Sequence, residues 1–454
     1  MDKTSITFWG GLKTIGGNIA EIKYGTDRII FDFGLVYDPA ISILDAVSNR
    51  KDSYVLDLLK LSAIPAIPGI YSKKDLQGTS FSIAQPIPEE ESTDQTAVFI
   101  SHLHLDHMGA IDTISSNIPV YMTNESKQLH QVLEQVGDEL VRKRDVKGIS
   151  FHEPIHIGNI TVTPLPVDHD IIGAASFLIA TPDIKLLYTG DFRLHGAHPE
   201  YMEEWLDYVK NQKIDILLTE GTTVGSTKNT EESLCQNESD IRLAAEKIMK
   251  EHQGLALFNM YHRNVERIDQ FLQAAKKANR VPVLEPETAY IAKKFLDSPE
   301  FTIFEKEHCP LSPSVLKDLG TYTSISTMEL NENPSRYLFQ NSYQNLYRLL
   351  DLNLKNGVYM HANGIPFGPF DPAYETLKSV LTQFNVPYYS LNVSGHAMEK
   401  DLLYITDQIQ PKLVIPWHSR HPEQFVPSRS SQPVFLPELN KEYIFENERI
   451  ALKK

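Results

Sequence analysis

The sequence predicts an α/β protein built in two styles, strands and turns first and alternating helix and strand later. In the first third, short runs alternate apolar and polar residues and are punctuated by glycine, proline and asparagine, the pattern of half-buried strands. Beyond residue 222 apolar residues recur at helical spacing between short strand-like runs. The length, 454 residues, exceeds one ordinary domain and suggests roughly two or three.

The elements follow in order. Residues 4–9 alternate as a strand, Gly10-Gly11-Leu12-Lys13-Thr14-Ile15-Gly16-Gly17 forms a turn-rich loop, and 18–24 resumes the alternation. Gly25-Thr26-Asp27 then turns the chain into a hairpin with 28–33. A strand follows the glycine loop, whereas a phosphate-cradling glycine loop opens a helix. Residues 38–94 are irregular, with a helical stretch at 54–61 and the acidic triplet Glu89-Glu90-Glu91 as a solvated loop. A buried strand at 96–100 leads to a helix at 125–141 and strands at 160–165, 174–180, 184–189 and 214–219. The polar stretch 222–236 marks a boundary. Past it, Ile241, Ala244, Ala245 and Ile248 share one helical face, and Val265, Ile268, Leu272 and Ala275 share another. Strands at 255–260, 281–284, 358–361 and 387–391 complete an α/β unit with a largely parallel sheet. A helix at 399–409, a strand at 413–415 and a short tail close the chain.

Composition excludes several classes. With 43 basic against 59 acidic residues the formal charge is −16, so a nucleic-acid partner needs a local positive groove on an acidic body. No apolar run reaches the roughly 18–20 residues of a membrane span, and the N-terminus enters a strand without a leader pattern. The expectation is a cytoplasmic protein with no membrane partner. The two cysteines, Cys235 and Cys309, exclude a disulfide framework and a cysteine-based zinc site. Arg142-Lys143-Arg144 with Lys147 is the densest basic cluster and reads as a solvated helix end.

The histidines carry the chemistry. Ser101-His102-Leu103-His104-Leu105-Asp106-His107 follows a strand, and alternating side chains in extended backbone point the same way. His102 and His104 can therefore share one metal, while a turn aims Asp106 and His107 at a second. Histidine with carboxylate suits Zn²⁺, and Mn²⁺ or iron accept the same donors. Three later residues, His169, Asp191 and His418, each sit at a strand exit and complete the set. His130, His152, His156, His195, His198, His252, His262 and His308 show no ligand pattern.

In this combination the sequence resembles the metallo-β-lactamase fold hydrolases. Asp32 in Ile30-Phe31-Asp32-Phe33-Gly34 matches the first motif, His102–His107 the second, His169 the third and Asp191 the fourth. Leu218-Thr219-Glu220-Gly221-Thr222, Val393-Ser394-Gly395-His396-Ala397, and Pro416-Trp417-His418 with His421-Pro422-Glu423 narrow the resemblance to the β-CASP nucleases. Arg263-Asn264-Val265-Glu266-Arg267-Ile268 is similar to a helix-opening segment of the domain those nucleases insert. The motifs span nearly the whole chain in register, and the nearest type is ribonuclease J.

The resemblance implies a metallo-β-lactamase αββα sandwich from residues 1–221 and 389–454, with an inserted β-CASP α/β cap at 222–388. It implies two Zn²⁺ per chain, with Mn²⁺ an acceptable substitute, single-stranded RNA as substrate, and a homodimer. His102, His104 and His169 would hold the first metal, Asp106, His107 and His418 the second, and Asp191 would bridge. His396 is the candidate general acid, Glu220 orients it, and Asp32 supports a ligand from behind. Ser394 and Asn392 are read either as phosphate contacts or as helix caps, Asn264 likewise, and His361 as a substrate contact from the cap. Two departures stand out. Ribonuclease J usually carries a further C-terminal domain, so a short form with less dimer surface is expected. Asn392 stands where ribonuclease J tends to have a phosphate-holding histidine, which puts dependence on a 5′-monophosphate in question. Rival readings are a DNA nuclease of the same family, a small-molecule metallo-hydrolase of thioesterase or lactonase type, and a catalytically silent scaffold. The cap motifs oppose the small-molecule reading, and the presence of all seven ligand residues opposes the scaffold.

Overall fold

The computed structural model describes residues 2–36, 47–78, 85–226, 232–305, 309–446 and 449–453. Two sheets form the sandwich. The first has eight strands, running in space from Arg449–Leu452 through Glu442–Glu446, Ser5–Phe8, Ala20–Tyr24, Asp27–Phe31, Gln95–Phe99 and Val120–Thr123 to Lys147–Ile149. The second has six, in the order Leu413–Trp417, Ile216–Glu220, Lys185–Tyr188, Ala175–Ala180, Ile160–Pro166 and Ile155–Ile157. Alternate residues of both sheets meet in one apolar layer that includes Ile29, Phe31, Phe99, Phe177, Tyr188 and Trp417. Phe31 stands 5.3 Å from Phe177 across it. Helices Tyr54–Lys60 and Asn124–Gln135 cover the outer face of the first sheet, and Pro199–Val209 and Glu399–Ile409 that of the second. The result is the αββα sandwich expected from the motifs.

A third sheet of seven strands carries the insertion, in the order Ser324–Ile325, Thr302–Phe304, Val281–Leu284, Tyr337–Gln340, Ala256–Met260, Val358–Ala362 and Tyr388–Ser390. Every pairing in it is parallel. A parallel sheet is buried on both faces. Accordingly Ala256, Phe258 and Met260 pack on one side, while Leu255 and Leu257 pack on the other. Helices Glu238–Glu251, Val265–Lys277 and Pro286–Phe295 cover the first face, and Pro372–Gln383 the second. The chain leaves this sheet at Ser390.

Three expectations are corrected. The helix expected to 141 ends at Gln135, because Gly137 turns left-handed (φ 85°) and the Asp138 N–H folds back onto Leu133 O. The basic cluster is therefore not a helix end. Arg144 is buried and donates to the carbonyls of Ile114 and Ser115, while Arg142 pairs with Asp75. The short tail is instead a hairpin, whose strand Glu442–Glu446 pairs antiparallel with Ser5–Phe8 and widens the first sheet. Helices Pro199–Val209 and Pro286–Phe295, each opened by proline, were not read from the pattern. Residues 227–231 of the polar boundary, and His308, lie outside the described residues.

This architecture gathers the motifs. Lys185–Tyr188, Ile216–Glu220 and Leu413–Trp417 run parallel, so their C-terminal ends share one edge, as do those of Asp27–Phe31 and Gln95–Phe99 in the facing sheet. Asp191, Glu220, His418, Asp32 and His102 all lie at or just beyond those ends, where open α/β sheets place their ligands.

Candidate metal centre

The ligand loop is shaped by its backbone. His104 is extended (φ −74°, ψ 145°) and opens the single turn Leu105–Met108, so His102 and His104 face one way while Asp106 and His107 come round from another. The earlier segment 33–35 lies against this turn: Phe33 N–H donates to His107 O and Leu35 N–H to Leu105 O. Only glycine fits between them, since a Cβ at Gly34 would overlap the Asp106 carbonyl. Asp32 and His418 adopt left-handed backbone (φ 57° and 49°), which bends each off its strand end toward the cluster.

The side chains converge. His104 Nδ1 stands 3.2 Å from His102 Nε2 and 3.1 Å from His169 Nε2. On the other side His418 Nε2 is 3.1 Å, and His107 Nε2 3.7 Å, from Asp106 Oδ2. Asp191 lies between the groups, with Oδ2 3.1 Å from His107 and 3.8 Å from His102 and Oδ1 3.7 Å from His418. The donor atoms of His102, His104 and His169, and those of Asp106, His107 and His418, each lie close enough together to hold one ion.

Four of the five rings commit their second nitrogen to a hydrogen bond within the protein. His107 Nδ1 lies 2.8 Å from Asp32, His169 Nδ1 2.6 Å from Gly395 O, and His102 Nδ1 3.0 Å from Ser101 Oγ. His104 Nε2 lies 3.4 Å from Asp170, and His418 Nδ1 2.7 Å from Thr222 Oγ1. Such partners fix the tautomer and aim the free lone pair inward. Asp32 is fully buried and also accepts from Ser101 N–H at 2.7 Å and from the Tyr188 hydroxyl.

Electrostatics fit a metal. Burial holds His102 and His104 below the ordinary histidine range and brings His169 to about 3, leaving all three neutral with lone pairs available. Burial alone would raise Asp106 and Asp191, but the facing histidines, His107 foremost, hold both carboxyls below their usual range. Both oxygens of Asp191 are buried without a well-aligned hydrogen bond among the described residues. A carboxylate so placed is costly unless a cation completes it. The residues present therefore fit the divalent metals implied by the superfamily.

His396 stands beside the cluster. Its Nδ1 is 3.3 Å from Glu220 Oε2, 3.5 Å from Asp191 Oδ2 and 3.2 Å from Thr222 Oγ1. Burial opposes its charge, yet the Glu220 and Asp191 carboxylates outweigh it and hold the ring up at about 10. Glu220 is itself buried and accepts from the N–H groups of Phe192, Thr222 and Ala397.

The four residues expected to contact substrate each have a partner within the protein. Ser394 and Asn392 cap no helix, since the next one opens at Glu399. Asn392 Oδ1 accepts from Asn363 N–H at 2.6 Å, and Ser394 Oγ, which is exposed, accepts from His396 N–H at 3.0 Å. Asn264 is buried and caps Val265–Lys277 by accepting from Arg267 N–H. His361 is fully buried, 3.1 Å from Pro366 O. Sequence reasoning missed Asp170, Thr222 and Asn18, whose amide nitrogen lies 3.1 Å from His107 Nε2. Asp170 is adjacent to His169 and Thr222 lies inside the Glu220 motif, so proximity to a motif was the available signal for those two.

Comparison with known proteins agrees with this geometry. Residues 66–283 match the family described as "Beta-lactamase superfamily domain". Ribonuclease J of Pyrococcus abyssi is 23% identical over 435 residues, covering 90% of this chain and 88% of that protein. Ribonuclease J of Mycoplasma genitalium is 23% identical over 439 residues, covering 91% of this chain and 68% of that one. Among solved structures, a protein of unknown function from Enterococcus faecalis V583 superposes with a TM-score of 0.80 at 27% identity, covering 97% of this chain and 100% of the other.

Proposed function

We propose that this chain, a β-CASP, ribonuclease J-like protein with a metallo-β-lactamase fold, is a metal-dependent ribonuclease that hydrolyses RNA phosphodiester bonds. The observation that carries the reading is a polarised histidine, His396 on Glu220, standing beside two convergent ligand groups. When bound, two divalent ions, Zn²⁺ or Mn²⁺, supply an activated water at neutral pH and neutralise charge on a phosphoryl oxygen. His102, His104 and His169 would hold one ion and Asp106, His107 and His418 the other, with the Asp191 carboxylate lying between the two groups. Asp32 and Thr222 keep His107 and His418 in the ligating tautomer.

Hydrolysis also requires a proton for the departing alkoxide. His396 Nδ1 is engaged by Glu220, Asp191 and Thr222, which leaves Nε2 to deliver that proton. Glu220 favours the charged ring before reaction. The RNA strand lies between the sandwich and the cap read as residues 222–388, close to Ser394. Asn392 stands where ribonuclease J tends to have a phosphate-holding histidine, and its side-chain oxygen accepts from the Asn363 backbone, so cleavage without a 5′-monophosphate is the expected behaviour.

Single-stranded RNA labelled separately at each end, in 5′-phosphate and 5′-hydroxyl forms, tests this with Zn²⁺ or Mn²⁺. Cleavage of both forms that disappears in Asp106→Ala/His107→Ala is the expected result, and the ladder separates internal cuts from end-wise release. Intact RNA in every form, with metal-loaded protein, would refute it.

A further inference from the structure

A second group of buried charges lies away from the metal ligands, where the sandwich meets the inserted unit. Asp168, Arg193, Glu238 and Arg267 are each no more than 2% exposed and alternate in sign. Arg193 Nε donates to Asp168 Oδ1 at 3.0 Å and its Nη1 to Glu238 Oε2 at 2.7 Å. Glu238 takes Arg267 side-on, with Nε on Oε1 at 2.8 Å and Nη2 on Oε2 at 2.7 Å. Arg267 Nη1 continues to Ala362 O at 3.1 Å and to Asn363 Oδ1 at 3.0 Å. Two carboxylates and two guanidiniums make the row neutral.

Both crossings of the chain between sandwich and insertion pass through this row. On the outward crossing Glu238 opens its helix, and its N–H donates to His195 O at 3.1 Å. On the return crossing Asn363 Oδ1 accepts from Val393 N–H at 2.8 Å, and Asn363 N–H donates to Asn392 Oδ1 at 2.6 Å. The row also reaches the metal loops. Asp168 directly precedes His169, Arg193 closely follows Asp191, and Arg193 Nη2 donates to His169 O at 3.2 Å. Apolar packing alone is non-directional and would let one body turn slightly against the other. A side-on guanidinium–carboxylate pair sets both distance and angle.

We propose that Glu238, gripped by Arg193 from the sandwich and Arg267 from the insertion, is a positioning residue that locks the cap at one angle to the metal loops. It thereby sets where a bound RNA strand meets the reacting centre. The substrate part rests on the ribonuclease reading above, whereas the lock does not.

Three variants test it. E238Q keeps the size and removes the charge. E238Q/R267Q removes one charge of each sign and leaves Asp168–Arg193 neutral, which protects folding where E238Q alone fails. R267K keeps the charge without the fork. Amide hydrogen exchange is read at Asn363 and Val393, with the strand Ile216–Glu220 as internal control, alongside RNA kcat/KM and bound metal by elemental analysis. Exchange at Asn363 and Val393 is expected to rise at least about 10-fold while the control strand stays protected. RNA kcat/KM is expected to fall about 10- to 100-fold at undiminished metal content, the range by which a displaced substrate slows an enzyme. R267K is expected to fall between.

A merely stabilising residue would lower the melting temperature and leave the kinetics of the folded enzyme unchanged. Unchanged exchange at both amides in a folded variant overturns the lock. Raised exchange with wild-type RNA kinetics overturns the positioning role. If the wild-type protein cleaves no RNA, the ribonuclease reading falls and the exchange arm alone decides the lock.

Discussion

Replacement of Asp32 by asparagine isolates how a residue that touches no metal governs one that does. Asp32 is fully buried and collects hydrogen bonds from Ser101 N–H (2.7 Å), Ser101 Oγ (2.9 Å) and the Tyr188 hydroxyl, with His107 Nδ1 2.8 Å away. Its left-handed φ of 57° is one that asparagine also adopts, so the backbone is left unstrained. The amide has one acceptor where the carboxylate had two. Ser101 N–H cannot turn away, which keeps the amide oxygen on that side and brings its NH₂ to His107 Nδ1. The two hydroxyls can rotate; the imidazole can only move its proton to Nε2, the nitrogen that faces Asp191 at 3.1 Å. That step removes the ligating lone pair. The expected loss is about 10- to 100-fold in affinity for the ion held by Asp106, His107 and His418. In free energy this is about 1.4–2.8 kcal/mol. Competition titration of Zn²⁺ against a chromophoric chelator resolves two binding steps, with the melting temperature followed in parallel. Only the step assigned to that ion is expected to weaken. Equal affinities in wild type and folded variant, within about twofold, would refute the tautomer argument.

Other outcomes follow from the same geometry. Thr222→Val removes the hydroxyl between His418 (2.7 Å) and His396 (3.2 Å), and RNA kcat/KM is expected to drop about 10-fold or more; a wild-type rate would remove Thr222 from the account. His396→Gln is expected to cost about 10²- to 10⁴-fold in kcat with metal content unchanged, as loss of a general acid does, and elemental analysis with single-turnover kinetics checks both. Saturating Zn²⁺ is expected to raise the melting temperature of the metal-stripped protein, since the ligands converge only in the folded state. His198 reports on pH: its hydrogen bond to Glu266, 2.5 Å away, holds it up at about 9 despite partial burial. A raised histidine stabilises fully below its free value of about 6.5 and loses that contribution as pH climbs through 9. The melting-temperature gap between wild type and His198→Gln should therefore close from pH 6 to 10, and shrink in high salt because His198 is part-exposed. A gap independent of pH would contradict the pairing.

Much of the ligand set was legible because its logic is local. His102 and His104 are two apart in extended chain, and Asp106 and His107 follow across one turn, so spacing alone indicated two directions. The parallel cap sheet was legible for a similar reason, since strands such as Ala256–Met260 and helices such as Val265–Lys277 each carry their own period. The C-terminal hairpin was not, because Glu442–Glu446 is an ordinary alternating segment until Ser5–Phe8 offers an edge from the opposite end of the chain. Nor was burial legible at His361, a strand-end histidine that neighbouring elements cover completely.

Local pattern along the chain told which donor atoms are available, in what order, and on which strand ends they stand, because strand period and turn chemistry act over a few residues. Long-range packing chose which ring nitrogen faces inward and what holds the other. Those partners come from distant segments: Thr222 lies 196 residues from His418, Asp32 75 from His107, and Gly395 226 from His169. It also brought Arg193, Glu238 and Arg267, far apart along the chain, into one buried row. The free energy of a buried charge depends on what surrounds it in space, and no local pattern encodes that.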